Sequence, residues 1–384
     1  MTAPSDEGPA VAVEDPVADE PIPAGSGAAV ASQRRLVWRR FKRHKLAVVG
    51  LVVTILLYLV AAFCEFLAPH GRDTYRATNA YAPPQMVHIS FTSSPHIYAY
   101  GLKTTVNKET FSREFTTDKS KKIPLRFFAT GDKYKLWGLI PSSIHLFGPS
   151  HKGDRFYLFG ADQQGRDLLS RMIYAARISL LVGLIGVSFS LVLGIVFGGL
   201  SGYFGGKPDT VIQRFIEFIM SIPTLPLWLG LSAAVPSSWG PLKVYFAITI
   251  ILSLVGWTGL ARVVRGRFLQ LRTEDYVLAA ELDGARRGRV IFRHMLPAFT
   301  SHIIATLTLA IPGMILAETS LSFLGLGLQA PVVSWGTLLA GAQNLRVVSD
   351  APWLLIPGAA VVITVLALNF VGDGLRDAAD PYSS

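Results

Sequence analysis

Long apolar runs alternate with polar segments along the chain, and their lengths predict six membrane-spanning helices. The runs occupy residues 46–67, 180–204, 210–235, 244–261, 298–316 and 353–370. Each is close to the ~20 apolar residues that a helix needs to cross the ~30 Å hydrocarbon core of a bilayer. An even number of spans places both ends of the chain on the same side of the membrane.

The third run is interrupted by Pro223 and Pro226. Proline removes an intrahelical hydrogen bond and kinks a helix. Because a broken helix at mid-membrane can line a transport path, both prolines are candidate path residues. A kink that packs against neighbouring helices explains them equally well.

The first run follows two contrasting segments. Residues 1–33 are rich in Pro, Ala and Gly and carry six acids but no Lys or Arg, which predicts a disordered cytoplasmic tail. Residues 34–45 then hold seven Lys and Arg. Excess basic charge marks the cytoplasmic end of a span and can also contact anionic lipid headgroups. Residues 34–68 are therefore predicted to be a basic anchor and the first transmembrane helix.

The segment between the first two runs, residues 69–157, has a different pattern. It is polar and aromatic and lacks long helical periodicity. Short strand-like runs occur at 86–91, 96–100, 125–128 and 155–159. We interpret the segment as a β-rich extracytoplasmic insert. The predicted fold is an all-α polytopic membrane protein of six transmembrane helices, with this insert between the first and second and a five-helix core at 158–384.

A polar segment at 262–297 separates the fourth and fifth runs. It carries eight arginines and four acids. About 35 residues exceed what a simple link needs, and helix formers fill them, so the segment is predicted to fold. Tyr276, Ala280 and Gly284 lie at i, i+4 and i+8 with Ala279 beside them, a small-residue stripe that admits close contact. A solvated loop with helical turns is the alternative.

Two carboxylates lie near the ends of apolar runs. Glu318 follows the fifth run, and a carboxylate buried at membrane depth is costly enough to indicate function, so it is a candidate path residue. If it lies at the outer end, it merely caps a break. We place 318–351 outside the spans, with a short re-entrant or interfacial helix. Glu65, near the end of the first run, is placed at the membrane interface.

Composition supports the membrane interpretation. The 384 residues are 51% hydrophobic and 16% charged, with a mean hydropathy of +0.41, whereas soluble domains carry about 25% charged residues. The net charge of +10 comes from basic residues at the ends of apolar runs. This distribution fits the positive-inside rule better than binding to nucleic acid. It predicts a multi-pass plasma-membrane protein with both termini cytoplasmic.

The sequence carries no recognisable catalytic or cofactor motif. It has no P-loop of the form GxxxxGK[ST] and no GxSxG or HExxH. Cys64 is the one cysteine, and no Cys/His group has metal-ligand spacing. A transporter without an enzymatic site must draw energy from a partner.

Three stretches resemble one known family. Residues 159–180, FGADQQGRDLLSRMIYAARISL, are similar to the FGTDxxGRDxxSRxxYGARxSL signature of C-type permease subunits in dipeptide and oligopeptide ABC importers. Residues 275–285, DYVLAAELDGA, with IFRHMLP at 291–297, resemble the EAA loop of these permeases. Leu278 and Asp283 depart from that loop's usual Glu and Leu. The ending at 372–381, GDGLRDAADP, also resembles the family.

The resemblance implies a non-catalytic permease of the bacterial inner membrane. Its partners would be a homologous B-type permease, two cytoplasmic ATPases that bind ATP and Mg²⁺, an extracytoplasmic binding protein and a peptide substrate. The segment at 262–297 would be the cytoplasmic coupling loop. The loop residues carried over are Asp275, Tyr276, Ala279, Ala280, Gly284, Ala285, Arg287 and Pro297.

Other functions remain open at this point. The cargo of an ABC permease of this type can also be a nickel chelate or a peptide antibiotic. A proton-coupled carrier would use intramembrane carboxylates, for which Glu65, Glu217 and Glu318 are the candidates. A membrane enzyme with its catalytic centre in the insert is a further alternative, although the histidines there lack metal or nucleophile spacing.

Overall fold

The computed structural model describes residues 33–91, 96–106, 113–151, 153–236, 238–343 and 345–379. Within these ranges five helices are long and apolar enough to cross a membrane, and one bent helix pair makes a sixth candidate span. The chain is therefore a helical membrane protein with five to six spans. The predicted disordered tail, 1–33, lies outside the described residues except for Gln33.

The helices follow the apolar pattern but differ in length from the predicted runs. They are α1 (Gln33–Arg43), α2 (Lys45–Ala62), α3 (Cys64–Leu67), α4 (Leu168–Phe204), α5 (Gly206–Ser221), α6 (Thr224–Ala233), α7 (Pro241–Leu271), α8 (Asp275–Leu282), α9 (Arg287–Arg289), α10 (Leu296–Ala298), α11 (Thr300–Phe323), α12 (Trp335–Ala340), α13 (Leu345–Asp350) and α14 (Ile356–Ala379). A π-helical turn, Val290–Met295, joins α9 to α10, and 3-10 turns occupy Ala77–Asn79 and Pro352–Leu355.

The helical body is organised around α4, which has 37 residues. It packs along α7 and against α11, while α14 packs against α11 and α2. Glycines allow the α4–α7 approach. A Cβ atom at Gly198 would lie 2.5 Å from the carbonyl oxygen of Ala261, and one at Gly202 would lie 2.6 Å from Cβ of Phe268. Small residues at such crossings let two membrane helices touch backbone to backbone.

The predicted break in the third run is confirmed. Helices α5 and α6 meet at 87°, and Pro223 stands at the N-cap of α6. Both Pro223 and Pro226 are exposed. The start of α5 is tied to α7, because Nε and Nη2 of Arg265 donate to the two carboxylate oxygens of Asp209 over 2.6 Å each.

A four-stranded antiparallel sheet lies between α3 and α4. Its strands are β1 (Val87–Ser90), β2 (His96–Val106), β3 (Arg113–Leu136) and β4 (Ile140–Pro149), in the order β1-β2-β3-β4. Its core contains Ala99, Ile123, Leu125 and Phe156, all buried. The strand-like runs at 86–91, 96–100 and 125–128 coincide with β1, β2 and part of β3.

One strand assignment from the sequence was wrong, and one strand was not predicted. Residues 155–159 form no strand. Phe156 and Tyr157 instead lie in a segment without regular secondary structure, and both are buried. The backbone N–H of Tyr157 donates to the side chain of Gln85 over 2.7 Å. The strand β4 was not predicted, because Pro141 and Pro149 mark its run as a loop. As an edge strand, β4 tolerates proline, which cannot donate to a ladder.

The placement of 318–323 outside the spans was also wrong. Helix α11 continues to Phe323 and therefore contains Glu318. The helix continues through these polar residues because the hydroxyl of Ser322 donates to the carboxylate of Glu318, one turn away, over 2.8 Å. A short helix, α12, does follow within 318–351.

Candidate functional site

The polar segment at 262–297 folds as a helical excursion between α7 and α11. After α7 ends at Leu271, a short turn leads into α8, and α9, the π-helical turn and α10 bring the chain back. Val277 is the buried residue of α8. It packs in a cluster that includes Val264 and Phe268 of α7, with Val290 and Met295 from the returning turn. One apolar side chain thus fastens α8 to α7 and to the returning turn.

Most residues predicted for the coupling loop lie on the outer surface of this excursion. Asp275, Tyr276, Ala279, Gly284, Arg287 and Pro297 are exposed, whereas Ala280 and Ala285 are half-buried. The structure brings those on α8 and the turn after it onto one accessible surface, while Pro297 lies at the far end of the segment.

Gly284 ends α8 in a conformation that favours glycine. Its φ is +76°, and a Cβ atom there would meet no heavy atom within 4 Å. The N–H of Ala285 donates to the carbonyl of Ala280 over 3.1 Å. Such a left-handed residue at a helix C-terminus is a common stop signal. Glycine here serves the turn, and it also leaves open space in front of the helix.

The end of α4 also contacts α8 and the residues that follow it. The phenol of Tyr203 donates to Glu281 over 2.8 Å, and the guanidinium of Arg287 lies 5.4 Å from the ring centre of Phe204. A polar cavity of about 500 Å³ lies among these groups. Sequence reasoning missed these partners, because they lie some 80 positions away in the chain.

Glu318, a candidate path residue, lies in a closed shell of serines. Its side chain is fully buried. It accepts hydrogen bonds from the hydroxyls of Ser322 (2.8 Å), Ser334 (2.7 Å) and Ser179 (3.3 Å). Ser179 also accepts the backbone N–H of Trp335 over 3.1 Å. The carboxylate therefore joins α4, α11 and the N-terminus of α12.

The three candidate path residues do not share one wall. Glu318 is enclosed by α4, α11 and α12, whereas Pro223 and Pro226 are exposed at the break between α5 and α6. In this conformation the carboxylate acts as a structural acceptor. A buried carboxylate is tolerated where hydrogen bonds satisfy it, and three hydroxyls do so here.

A buried ion pair that sequence reasoning missed links the first span to α4. Nη2 of Arg177 donates to Glu65 over 2.6 Å, and Nη1 donates to the other carboxylate oxygen. The same guanidinium donates to the carbonyls of Ala61 (2.8 Å) and Ala62 (2.9 Å), at the end of α2. Glu65 is therefore buried within the protein and paired with Arg177, close to the end of the first span, and its position at the membrane interface stays a prediction.

This ion pair borders a cavity with a volume of about 1060 Å³. One wall is apolar, from α4 and α7, and includes Leu181 and Phe246; the other carries Glu65, Arg177 and Arg72. A cleft with an apolar wall and a few convergent charges is suited to a partner surface or to a solute with charged ends.

The charged residues of the signature at 159–180 lie where the chain passes from the sheet into α4. The carboxylate of Asp162 accepts Nε of Arg166 over 2.7 Å and also pairs with Arg171. Asp167 is the N-cap of α4, accepting the N–H of Ser170 over 2.8 Å. The sequence pattern predicted a charged helix start here. The structure shows that three of its charged residues, Asp162, Arg166 and Arg171, pair with one another.

Two titratable groups at this junction are shifted in opposite directions. Burial lowers the pKa of His70 to about 4, with Arg155 nearby adding to the effect. Burial raises the pKa of Asp167 to about 6. Both contact Ser170: the backbone N–H of His70 donates to its hydroxyl over 2.9 Å. Among the described residues, no group of three or more His, Cys, Asp or Glu side chains could hold a metal ion.

Comparison with known proteins identifies the family. Residues 194–382 match the family described as "Binding-protein-dependent transport system inner membrane component". Residues 32–84 match the "N-terminal TM domain of oligopeptide transport permease C".

Curated relatives extend this match over nearly the whole chain. The oligopeptide transport system permease protein OppC of Bacillus subtilis is 30% identical over 369 residues, which cover 94% of this chain and 96% of the relative. The dipeptide permease DppC of the same organism is 31% identical and covers 90% and 84%. OppC of Haemophilus influenzae is 42% identical over 228 residues, covering 59% and 70%. The chain thus belongs to the C-type permease subunits of binding-protein-dependent ABC importers, which are non-catalytic membrane components.

Proposed function

We propose that this permease imports peptides. The carrying observation is the similarity to OppC and DppC of Bacillus subtilis over almost their full lengths, since both relatives are named for peptide transport. On this proposal, the chain forms the translocation path together with a homologous B-type permease. An extracytoplasmic binding protein delivers the peptide, and two cytoplasmic ATPases supply the energy.

We further propose that α8 is the docking element for an ATPase. The geometry supports this role because α8 is fastened to the body by Val277 while its opposite surface is exposed. Small side chains at Ala279 and Gly284 leave room for a groove wall of a partner. ATP and Mg²⁺ belong to that partner, so this chain needs no nucleotide site.

The contacts of α8 offer a route by which ATPase movement reaches the spans. A displacement of α8 acts through Val277 on the cluster that contains Val264 and Phe268 of α7 and Met295 before α11. A packed cluster transmits such a shift because close-packed interiors deform little. Net transport also requires that the peptide bind the outward- and inward-open states with different affinity. Pro223, Pro226 and Glu318 remain the candidate path residues, and Glu318 would join the path only where its serine shell opens.

The orientation proposed with this function places both termini and α8 in the cytoplasm. The sheet at 87–149 then lies on the extracytoplasmic side, near the mouth of the path, where it meets the binding protein. The basic residues of 34–45 and of 262–297 support this assignment through the positive-inside rule.

The docking role is tested by copurification in mild detergent. Ala279→Arg and Gly284→Arg add bulk to the exposed surface, and we expect each to lose the ATPases while the second permease is retained. Gly284→Ala is the matched control, because it introduces the same backbone strain at φ +76° without bulk. An ATPase that stays bound to both arginine variants would contradict the docking role.

The cargo is tested by uptake. Cells that lack this chain should fail to accumulate radiolabelled trialanine while alanine uptake is unchanged, and a plasmid copy should restore it. Unchanged trialanine uptake, with loss of nickel uptake instead, would favour the metal-chelate alternative.

A further inference from the structure

The turn that joins β3 to β4 is apolar and exposed. This hairpin tip, residues 137–140, has the sequence Trp-Gly-Leu-Ile. The exposed fraction is 52% at Trp137, 80% at Leu139 and 54% at Ile140. Hairpin turns usually carry Gly, Asn, Asp or Ser, which suit both the backbone and water. Three large apolar side chains projecting from such a turn indicate a surface that another phase or molecule covers.

The hairpin tip is held at the end of the first span. Nε1 of Trp137 donates to the carbonyl of Ala62, the last residue of α2, over 2.7 Å, and its ring lies 5.6 Å from that of Phe63. The 18 residues of α2 give a helix of about 27 Å, close to the thickness of the hydrocarbon core. Because basic residues flank the other end of α2, Ala62 lies where hydrocarbon meets headgroups. The tip lies at the same depth.

The tip also continues the apolar outer side of α2. Only 17% of this helix is buried within the protein. A stripe along it is exposed, formed by Val52, Leu56, Leu59 and Phe63. These positions are three or four residues apart and share one helix face. Since Phe63 touches Trp137, one apolar surface extends from the span to the hairpin tip.

Charges beside the tip suit a lipid surface. Lys133 and Lys135 precede it on β3 and are both exposed. Lysine can extend its ammonium group to phosphate while its methylenes lie on apolar groups, and tryptophan is favoured at the same depth of a bilayer.

We propose that the hairpin tip inserts into the lipid bilayer at the boundary between headgroups and acyl chains, beside the end of α2. The sheet is then anchored to the membrane at a second point, away from its covalent connections. This role holds for either orientation of the chain and does not depend on the cargo.

The test uses fluorophores on single cysteines in the full complex, reconstituted into phosphatidylcholine–phosphatidylglycerol nanodiscs. Cys64, the chain's one cysteine, is fully buried, so the wild type sets the labelling background. Leu139→Cys places the probe on the tip. Phe91→Cys is the matched control, because Phe91 is also 80% exposed. The strand pairing places it on the order of 30 Å along the sheet from the tip.

Two quenchers then report the surroundings of each probe. We expect lipid carrying a nitroxide at acyl carbon 5 to quench the Leu139→Cys probe several-fold more than the Phe91→Cys probe, and aqueous iodide to show the reverse order. Equal iodide quenching at the two positions would overturn the proposal, because the tip would lie in water. Shielding of the Leu139→Cys probe from both quenchers would also overturn it, and would show that a protein partner covers the tip.

Discussion

Two of the polar regions in this chain differ in how far they are exposed. The polar segment at 262–297 turns most of its polar residues outward and keeps a single buried valine on α8. The serine shell around Glu318 is closed, with the carboxylate fully buried among three hydroxyls. Both regions stand out in the sequence for the same reason, because polar residues near apolar runs indicate function.

The difference indicates that the exposed region serves contacts with a partner, whereas the closed region serves the stability of the fold. An exposed surface costs the fold little when it changes, so its residues are free to serve a partner. In a closed polar shell every hydrogen bond contributes to stability, because a donor that loses its acceptor stays buried and unpaired. Substitutions should therefore affect stability in the shell and coupling in the segment, and four predictions test this division.

The largest effect is expected for Glu318→Ala. The change leaves three serine hydroxyls without their acceptor, and we expect a loss of about 3 kcal/mol in the free energy of unfolding. Thermal unfolding of the purified chain in detergent measures it. Ser179→Ala is the matched control, with a smaller loss of about 2 kcal/mol, because the carboxylate keeps two donors while the backbone N–H of Trp335 loses its acceptor. A melting temperature unchanged in Glu318→Ala would show that the shell is not structural.

Val277→Ala should have an intermediate effect and should affect both properties. It leaves a void beneath α8, which costs about 2 kcal/mol, and it loosens the attachment of α8 to α7. We expect transport to fall while the ATPase still copurifies, because the docking surface itself is unchanged. Loss of the ATPase with normal stability would mean that Val277 contacts the partner directly.

The junction between the sheet and α4 is a closed polar region that responds to pH. The unfolded chain protonates His70 near pH 6.5, but the folded chain only near pH 4. Stability from neutral His70 is therefore lost as the pH falls through this window. Asp167 has the opposite sign, since the folded state takes up its proton near pH 6 and the unfolded state only near pH 3.9. The two contributions offset each other in the wild type.

Single substitutions should reveal how each of the two groups makes the free energy of unfolding depend on pH. Between pH 6 and pH 5, His70→Asn should gain about 1 kcal/mol of stability relative to the wild type, and Asp167→Asn should lose a similar amount. Denaturant unfolding across this pH range measures both. If the free energy of unfolding changed equally with pH in the wild type and in His70→Asn, this would contradict the lowered pKa assigned to His70.

The smallest stability effect is expected for Ala279→Arg. The residue is exposed, so the free energy of unfolding should change by less than about 0.5 kcal/mol. Transport should nevertheless be abolished, because the added side chain blocks the docking surface. Melting temperature and trialanine uptake, measured on the same preparation, check the two halves of this prediction. Normal trialanine uptake by Ala279→Arg would contradict a docking role for α8.

The sequence predicted the features that depend on local pattern. The lengths of the apolar runs located the spans, and Pro223 and Pro226 located the break between α5 and α6. The helix formers in the polar segment at 262–297 predicted that it folds. The family signature at 159–180 marked the charged start of α4. Each of these follows from residues close together in the chain.

Features that depend on distant contacts were missed. The pair of Glu65 and Arg177 joins residues 112 positions apart, and no periodicity reports it. The edge position that lets β4 contain prolines is known only once the sheet is assembled. Glu318 was placed outside the spans because it follows the fifth apolar run, and two of its three hydroxyl donors, Ser334 and Ser179, lie outside α11.

The length of α4 has a mechanical consequence. Its 37 residues form a rod of about 56 Å, nearly twice the thickness of the hydrocarbon core. At one end Ser170 accepts the backbone N–H of His70, ahead of the sheet, and the other end touches α8 through Tyr203. If such a rod tilts by about 10° without bending, its ends shift by about 10 Å relative to each other. If an ATPase docks on α8 as proposed, a small rotation there becomes a large excursion at the opposite end of α4.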